Sequence, residues 1–340
     1  FTQRGEPAIL DKFTRAKWAL NNGVDLVIEL PFVFTVQNAN IFASTSVEIL
    51  NHLNVDEIYF GSETGDITEL EELGEILNTK AYHELIQTFL KDGNSYPTSS
   101  DLAMKQLYPN SSFDLPNNIL GIQYLLAGKK LHSKIKFKTI KRLSANYFDD
   151  ELQSSSIQSA TAIRKLVKEN KDISNYVPSD VLKSLTSEKL VCYEDFLSSF
   201  KYIFKSSTKE DLQEIFNINE GIENRLLKIK EYSSVQELID KALTRRYTNS
   251  KIKRTLAHIL CNTKKNVLTS FEIPYIRILG MNEIGRQHLH EIKHDLTIPL
   301  LSKVTDGIHP YLDIELRTSR VYSLVSGKDI YKQEFKQPIY

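Results

Sequence analysis

Two stretches of this chain carry residues suited to holding a phosphate. In the first, Gly61-Ser62-Glu63 closes an apolar run at Tyr59-Phe60, and Lys141-Arg142 closes another at 134–140. Ligands of open α/β sheets bind beyond the carboxyl ends of the strands, so the residues that follow such runs are the first candidates. Gly61 has no Cβ and lets a ligand reach the main chain. Arg142 offers a planar fork of permanent charge. A plain turn at Gly61 and a surface pair at Lys141-Arg142 fit the same residues equally well. The second stretch is Ser159-Ala160-Thr161-Ala162-Ile163-Arg164-Lys165. Ser159 or Thr161 can cap a helix there, which aims backbone N–H groups outward. Arg164 and Lys165 then fall in the first turn, where the helix dipole disfavours cations unless an anion sits between. That points to phosphate, with an ordinary capped helix as the alternative.

The elements that must position these residues follow from periodicity. Segments 24–30, 56–60 and 134–140 read as strands, with helices expected over 10–22, 36–53, 66–77 and 79–91. Asn117-Asn118 reads as the cap of a further helix ending near Lys130. Alternation of helix and strand predicts a parallel α/β sheet for the N-terminal half. Lys134, Lys136 and Lys138 alternate with Ile135, Phe137 and Thr139, so the third strand has one wet face and lies at an edge or in a partly covered position. From Pro178 to about Asn266 the pattern is helical. Near the end a strand at 275–279, a helix at 282–293, a short strand at 298–301 and a helix at 310–325 form a small βαβ-like unit. The expected division is an α/β domain over 1–171 and a mainly helical domain over 179–340, joined by a linker at 172–180.

The 340 residues carry 43 basic and 43 acidic side chains, a net charge of zero that conceals an uneven distribution. Residues 1–128 hold 7 Lys/Arg against 17 Asp/Glu, whereas 129–142 hold 7 cations and 241–265 hold 8, neither with an acid. Such blocks suit phosphate or nucleic acid, or else form a solvated face. Apolar residues make up 41%, which excludes wholesale disorder, and no apolar run reaches the ~20 residues that span a bilayer. Cys192 and Cys261 are the only cysteines, which suits a reducing cytoplasm and excludes a Cys-rich zinc site. His288, His290 and His294 read as a solvated helix face rather than a metal site.

Nine short segments, in order, carry a resemblance. They are Phe1-Thr2-Gln3-Arg4-Gly5-Glu6-Pro7-Ala8, Asp11-Lys12-Phe13-Thr14-Arg15, Asp25-Leu26-Val27-Ile28-Glu29-Leu30-Pro31, Phe60-Gly61-Ser62-Glu63, Pro116-Asn117-Asn118-Ile119-Leu120-Gly121, Ser159-Ala160-Thr161-Ala162-Ile163-Arg164, Glu220-Gly221-Ile222-Glu223-Asn224-Arg225, Arg246-Tyr247-Thr248 and Leu279-Gly280-Met281-Asn282-Glu283-Ile284-Gly285-Arg286. Together they resemble the bacterial tRNA(Met) cytidine acetate ligase family of the nucleotidylyltransferase superfamily. The resemblance implies a Rossmann-like nucleotide-binding domain followed by a helical one. It implies ATP as the nucleotide, with Mg2+, and acetate and elongator tRNA(Met) as partners; neither DNA nor a membrane is expected. Acetyl-adenylate would form first, and the wobble cytidine would then be acetylated at N4. The family's nucleotide contacts fall on Gly61, Asn117 and Arg142, with Lys141, Ser159, Thr161 and Arg164 as further candidates. Its His-x-Gly-His signature is expected before Phe1, so the catalytic residues are not assigned within this sequence. Arg245, Arg246, Tyr247, Lys251, Lys253 and Arg254 become candidates for RNA, the arginines and lysines for its backbone and Tyr247 for a stacked base. A small-molecule adenylyltransferase and a non-catalytic RNA-binding module are the competing readings.

Overall fold

In the computed structural model, residues 1–143, 157–268, 270–305 and 307–340 are described. Asp11 starts the first long helix, Lys12–Asn21, by accepting from the Thr14 N–H at 2.9 Å. The chain then enters strand β1, Leu26–Glu29. Its partner differs from expectation. Instead of joining a parallel sheet of the N-terminal half, β1 runs antiparallel to a strand of the C-terminal end, Leu26 facing Met281 and Glu29 facing Arg277. Strand β2 is Glu57–Ser62, β3 is Lys136–Lys141, β4 is Ile276–Met281 and β5 is Leu300–Leu301. All six residues of β4 are buried, so it needs a neighbour on each edge, and β1 and β5 supply them in the order β1-β4-β5. The parallel pair β4–β5 with the crossing helix Glu283–Ile292 is the expected βαβ unit. Gly285 opens that helix against β1, since a Cβ there would stand 2.2 Å from the Asp25 carbonyl oxygen.

The expected parallel pairing is realised by β2 and β3, with Glu57 facing Lys136 and Ser62 facing Lys141. Helix Pro116–Lys130, the last of four between them, leads into β3 and packs on their inner face. Two of its glycines make that approach possible. A Cβ at Gly121 would lie 2.4 Å from the Phe60 ring, and one at Gly128 would lie 2.4 Å from the Phe137 ring. Glycine costs a helix interior roughly 1 kcal/mol against alanine, which the burial of two phenylalanine faces offsets. Lys136 and Lys138 are exposed while Phe137 and Thr139 are partly covered, the wet edge that the alternation predicts.

Around this pair, helices Ile67–Leu77, Lys80–Lys91 and Tyr96–Leu107 enclose Leu70, Leu73, Tyr82 and Met104. No element is assigned to the third of these from the sequence. Ser95 nonetheless caps it, with Pro97 in the first turn. The helix expected over 36–53 begins at Ala39 behind its cap Asn38, preceded by a separate turn of helix at Phe32–Thr35. In the second half, Phe196, Phe200, Leu226, Leu238, Ile252 and Leu256 form a helical core. Leu10, Leu166, Ile173 and Leu185 cluster together, so residues on both sides of 172–178 share one apolar contact. Among the described residues no helix is long and apolar enough to cross a membrane.

Candidate functional site

The carboxyl ends of β2 and β3 converge on the N-terminus of helix Pro116–Lys130. The link is Glu63, the residue after β2. Its carboxylate accepts from the backbone N–H of Asn117 at 3.2 Å, from the backbone N–H of Asn118 at 2.9 Å and from Asn117 Nδ2 at 2.6 Å. Asn117 and Asn118 were expected as the cap. They occupy the first turn instead, behind Pro116, and Glu63 satisfies their N–H groups from outside the helix. Asn118 is fully buried; its Oδ1 accepts from the Glu63 N–H at 2.9 Å and its Nδ2 donates to the Ser112 carbonyl at 2.9 Å. The turn after β2 is therefore locked to the helix in both directions.

Across the parallel pair, the Arg142 N–H donates to the Ser62 carbonyl at 2.9 Å and carries the ladder one residue past β3. Its side chain runs beside exposed Gly61, where a Cβ would sit 3.4 Å from Arg142 Cγ. Gly65 adopts φ +69, and Lys141 packs on the space its missing Cβ leaves, 2.4 Å from where that atom would be. Gly61, Asn117, Lys141 and Arg142 thus lie at the ends of β2 and β3, with main chain and two cations exposed and the Asn117 amide half-buried beside Glu63. That composition suits a phosphorylated nucleotide at the strand ends.

Ser159, Thr161 and Arg164 stand elsewhere. Ser159 caps helix Ala160–Lys168, accepting from the Ala162 N–H at 3.0 Å. Arg164 reaches back to Thr161 Oγ1 at 3.4 Å. The helix buries Leu166, with Ile163 and Val167, against Leu10 and Trp18. Residues 144–156, which join β3 to this helix, lie outside the described residues.

The basic block divides into two kinds of residue. Tyr247 is 8% exposed and belongs to the helical core, its hydroxyl donating to the Glu220 carbonyl at 2.5 Å. Lys251 donates to Asn217 Oδ1 and Asn219 Oδ1 at 2.9 and 2.7 Å, and Lys253 pairs with Glu6 at 2.5 Å. Arg254 is half-buried, and burial lowers its pKa below the usual value. Arg245 and Arg246 are exposed. Of the three histidines, His288 is partly buried with Nε2 on the Leu53 carbonyl at 2.8 Å, rather than on a solvated face. No group of three or more metal-ligating side chains occurs among the described residues.

One charged assembly was not anticipated. Lys12 contacts Glu29, Glu315 and Glu334, the last two at 2.8 Å, and Arg277 contacts Glu29 at 2.9 Å and Glu334 at 2.5 Å. Glu315 also accepts from the Phe32 N–H at 2.6 Å, and Ser319 donates to Glu334. The group joins the first helix, β1, β4 and the helix Pro310–Ser326, and borders a cavity of about 360 Å3. Three buried carboxylates share two cations. Burial, with Glu315 and Glu334 nearby, pushes Glu29 up to about 7; Lys12 and the Phe32 N–H hold Glu315 down at about 2 despite burial. The available signal was an ionisable residue inside an apolar run, as at Val27-Ile28-Glu29 and Ile276-Arg277-Ile278.

Comparison with known proteins extends this geometry. Residues 1–337 match the family described as HIGH Nucleotidyl Transferase. A Bacillus subtilis (strain 168) protein named tRNA(Met) cytidine acetate ligase is 38% identical over 343 residues, covering 95% of this chain and 83% of that protein. The crystal structure of Thermotoga maritima TmcAL in its apo form I superposes with a TM-score of 0.87 at 28% identity, covering 99% of this chain and 88% of that one. The same protein bound with alpha-thio ATP gives 0.84 at 27% identity, covering 99% and 87%.

Proposed function

The chain belongs to the HIGH nucleotidyl transferase family and, within it, to the tRNA(Met) cytidine acetate ligases, and from that membership we propose the reaction it performs. It is an ATP-dependent ligase that acetylates a cytidine of tRNA(Met). An acetate oxygen attacks the α-phosphorus of ATP, pyrophosphate departs and acetyl-adenylate forms. The N4 amine of the cytidine then attacks the acetyl carbonyl carbon, AMP leaves with the carboxylate oxygen, and N4 loses a proton. Elongator tRNA(Met), with the cytidine at the wobble position, is the proposed acceptor, and the cytoplasm is where such a substrate is met.

The observation that carries the nucleotide site is that the strand pairing sets Arg142 beside Gly61 while Glu63, two residues on, holds Asn117. In this reading Gly61 admits the nucleotide to the main chain, the Asn117 amide hydrogen-bonds it, and Arg142 with Lys141 neutralises phosphate charge. Charge builds on the departing pyrophosphate in the transition state, so cations already in place are worth most there. The capped N-terminus at Ser159, with Thr161 and Arg164, is the proposed second phosphate contact. Mg2+ would arrive with the nucleotide, held mainly by the phosphates. The test is ATP–pyrophosphate exchange with and without acetate, followed by acetyl transfer to a tRNA(Met) transcript. Acetate-dependent exchange and N4-acetylcytidine are the expected results. Exchange that ignores acetate would favour a small-molecule adenylyltransferase instead.

A further inference from the structure

We propose that the turn 244–247 is a preformed two-arginine grip for the phosphate backbone of RNA, and that Arg225 and Tyr247 are the positioning residues that hold it in shape. The inference rests on the tRNA reading above and assigns to it a particular surface.

The turn is closed on itself. The Thr244 N–H donates to the Tyr247 carbonyl at 3.2 Å, and the Tyr247 N–H donates to Thr244 Oγ1 at 2.9 Å. Arg245 and Arg246 are its two central residues, both exposed. The flanks are tied down as well. Arg225 spends its guanidinium inward, with Nε on the Ala242 carbonyl at 2.7 Å and Nη2 on the Lys241 and Leu243 carbonyls at 2.7 and 3.0 Å. These are carbonyls at the end of helix Val235–Ala242, where a cation is favoured by the dipole. On the other side Tyr247 buries its ring and donates to Glu220, in a tight bend where Glu220 has φ 56 and Gly221 φ 84. Thr248 then caps helix Asn249–Leu260.

Among the described residues Arg245 and Arg246 make no ion pair or side-chain hydrogen bond, while their neighbours are spoken for. Lys251 is held by Asn217 and Asn219, Lys253 by Glu6, and Lys241 by Glu237 and the Glu231 carbonyl. Two adjacent free guanidiniums on a rigid turn do nothing for folding. They do present ten N–H donors to a partner rich in planar or tetrahedral oxyanions, from a turn whose backbone is already closed, so that binding has only the two side chains left to order. Regularly spaced phosphates are such a partner. The grip is narrower than the eight cations of 241–265 suggest, because only part of that charge points outward.

The test measures binding of a tRNA(Met) transcript to the full chain across a range of salt concentration. Each phosphate contact contributes a log–log slope of about −0.7 to −0.9. Arg245→Ala/Arg246→Ala is expected to flatten the slope by about one to two units. Lys183→Ala/Lys205→Ala, which removes two exposed cations elsewhere in the helical half, is expected to leave it unchanged. Tyr247→Phe keeps the ring and loses only the anchor to Glu220, and Arg225→Lys keeps the charge and loses the fork. Both should weaken binding about three- to tenfold at every salt while keeping the wild-type slope, since the same phosphates are met by a looser turn. An unchanged slope in the arginine double variant, or equal flattening in the lysine control, overturns the grip. Wild-type affinity in Tyr247→Phe, which does not depend on Arg225→Lys folding, overturns the positioning role. Loss of the underlying function reading looks different: the wild-type chain itself would then neither bind tRNA nor catalyse acetate-dependent exchange.

Discussion

Glu63 holds Asn117 twice, by its main-chain N–H and by its side-chain Nδ2, the latter at 2.6 Å. The main-chain N–H and one hydrogen of Nδ2 are thereby drawn toward β2, which leaves Asn117 Oδ1 and the second Nδ2 hydrogen to meet a ligand. Glu63→Ala removes the carboxylate that satisfies the helix N-terminus and is expected to cost about 1 kcal/mol of stability. ATP affinity should fall alongside. Thermal melts and calorimetric titration with ATP check both, and undiminished ATP affinity would show that the orientation of Asn117 does not matter to the nucleotide.

Arg142 lies over Gly61 with no side-chain partner among the described residues. Arg142→Ala should weaken ATP binding by about 1.5–3 kcal/mol, the range of a charge-assisted hydrogen bond, or roughly ten- to 150-fold. An ATP dissociation constant equal to wild type removes Arg142 from the site.

Arg164 offers a contrast, since its helix packs on Leu10 and Trp18. If it meets the departing phosphates, Arg164→Ala slows pyrophosphate exchange at saturating ATP by about tenfold or more and leaves tRNA affinity close to wild type. Equal losses in the two assays would mean that the substitution loosens the helix instead.

The buried group around Lys12 predicts a pH dependence. Glu29 is pushed up to about 7 by burial and by Glu315 and Glu334, against the pull of Arg277 and Lys12. A carboxyl raised above its unfolded value of ~4.3 binds its proton more tightly in the native state. Its contribution to stability is full below that value and is lost as pH rises through about 7. The melting temperature is expected to decline by a few degrees between pH 5 and 8. Glu29→Gln, which keeps acceptor capacity for Lys12 or Arg277 without the charge, should flatten that decline. Glu315 acts in a separate window, since its value of about 2 means stability that is present above the unfolded value of ~4.3 and lost as pH falls from there through about 2. An equal decline in Glu29→Gln would place the titration on another group.

The helices and strands were legible in the sequence wherever a period ran long enough, as at 66–77 or 134–140. The partner of β1 was not. An apolar run states that a strand is buried but not which edge receives it, and Leu26 pairs with Met281 across about three quarters of the chain. Strand ends selected Gly61 and Arg142 on general grounds, because ligand sites follow strand ends. Asn117 was misread as a cap because the residue that caps it, Glu63, lies 54 residues earlier. The basic block shows a different limit. Counting cations does not reveal which are turned inward, so Tyr247, Lys251 and Lys253 carried the same weight as Arg245 and Arg246 until their partners were known.

The antiparallel junction of β1 with β4 also sets a timetable. About 250 residues separate the two strands. At roughly 5–20 residues per second a ribosome takes on the order of ten to fifty seconds to make that stretch, during which β1 and the half-formed salt-bridge group at Lys12 and Glu29 have no mate. The β2–β3 pair and its glycine-packed helix can assemble within that interval, because their contacts close over fewer than a hundred residues. A nascent chain stopped before Ile276 would leave β1 without the β4 partner it has in the finished sheet, open to another chain. Completion of the fold, unlike its first half, must wait for the last portion of the polypeptide to be made.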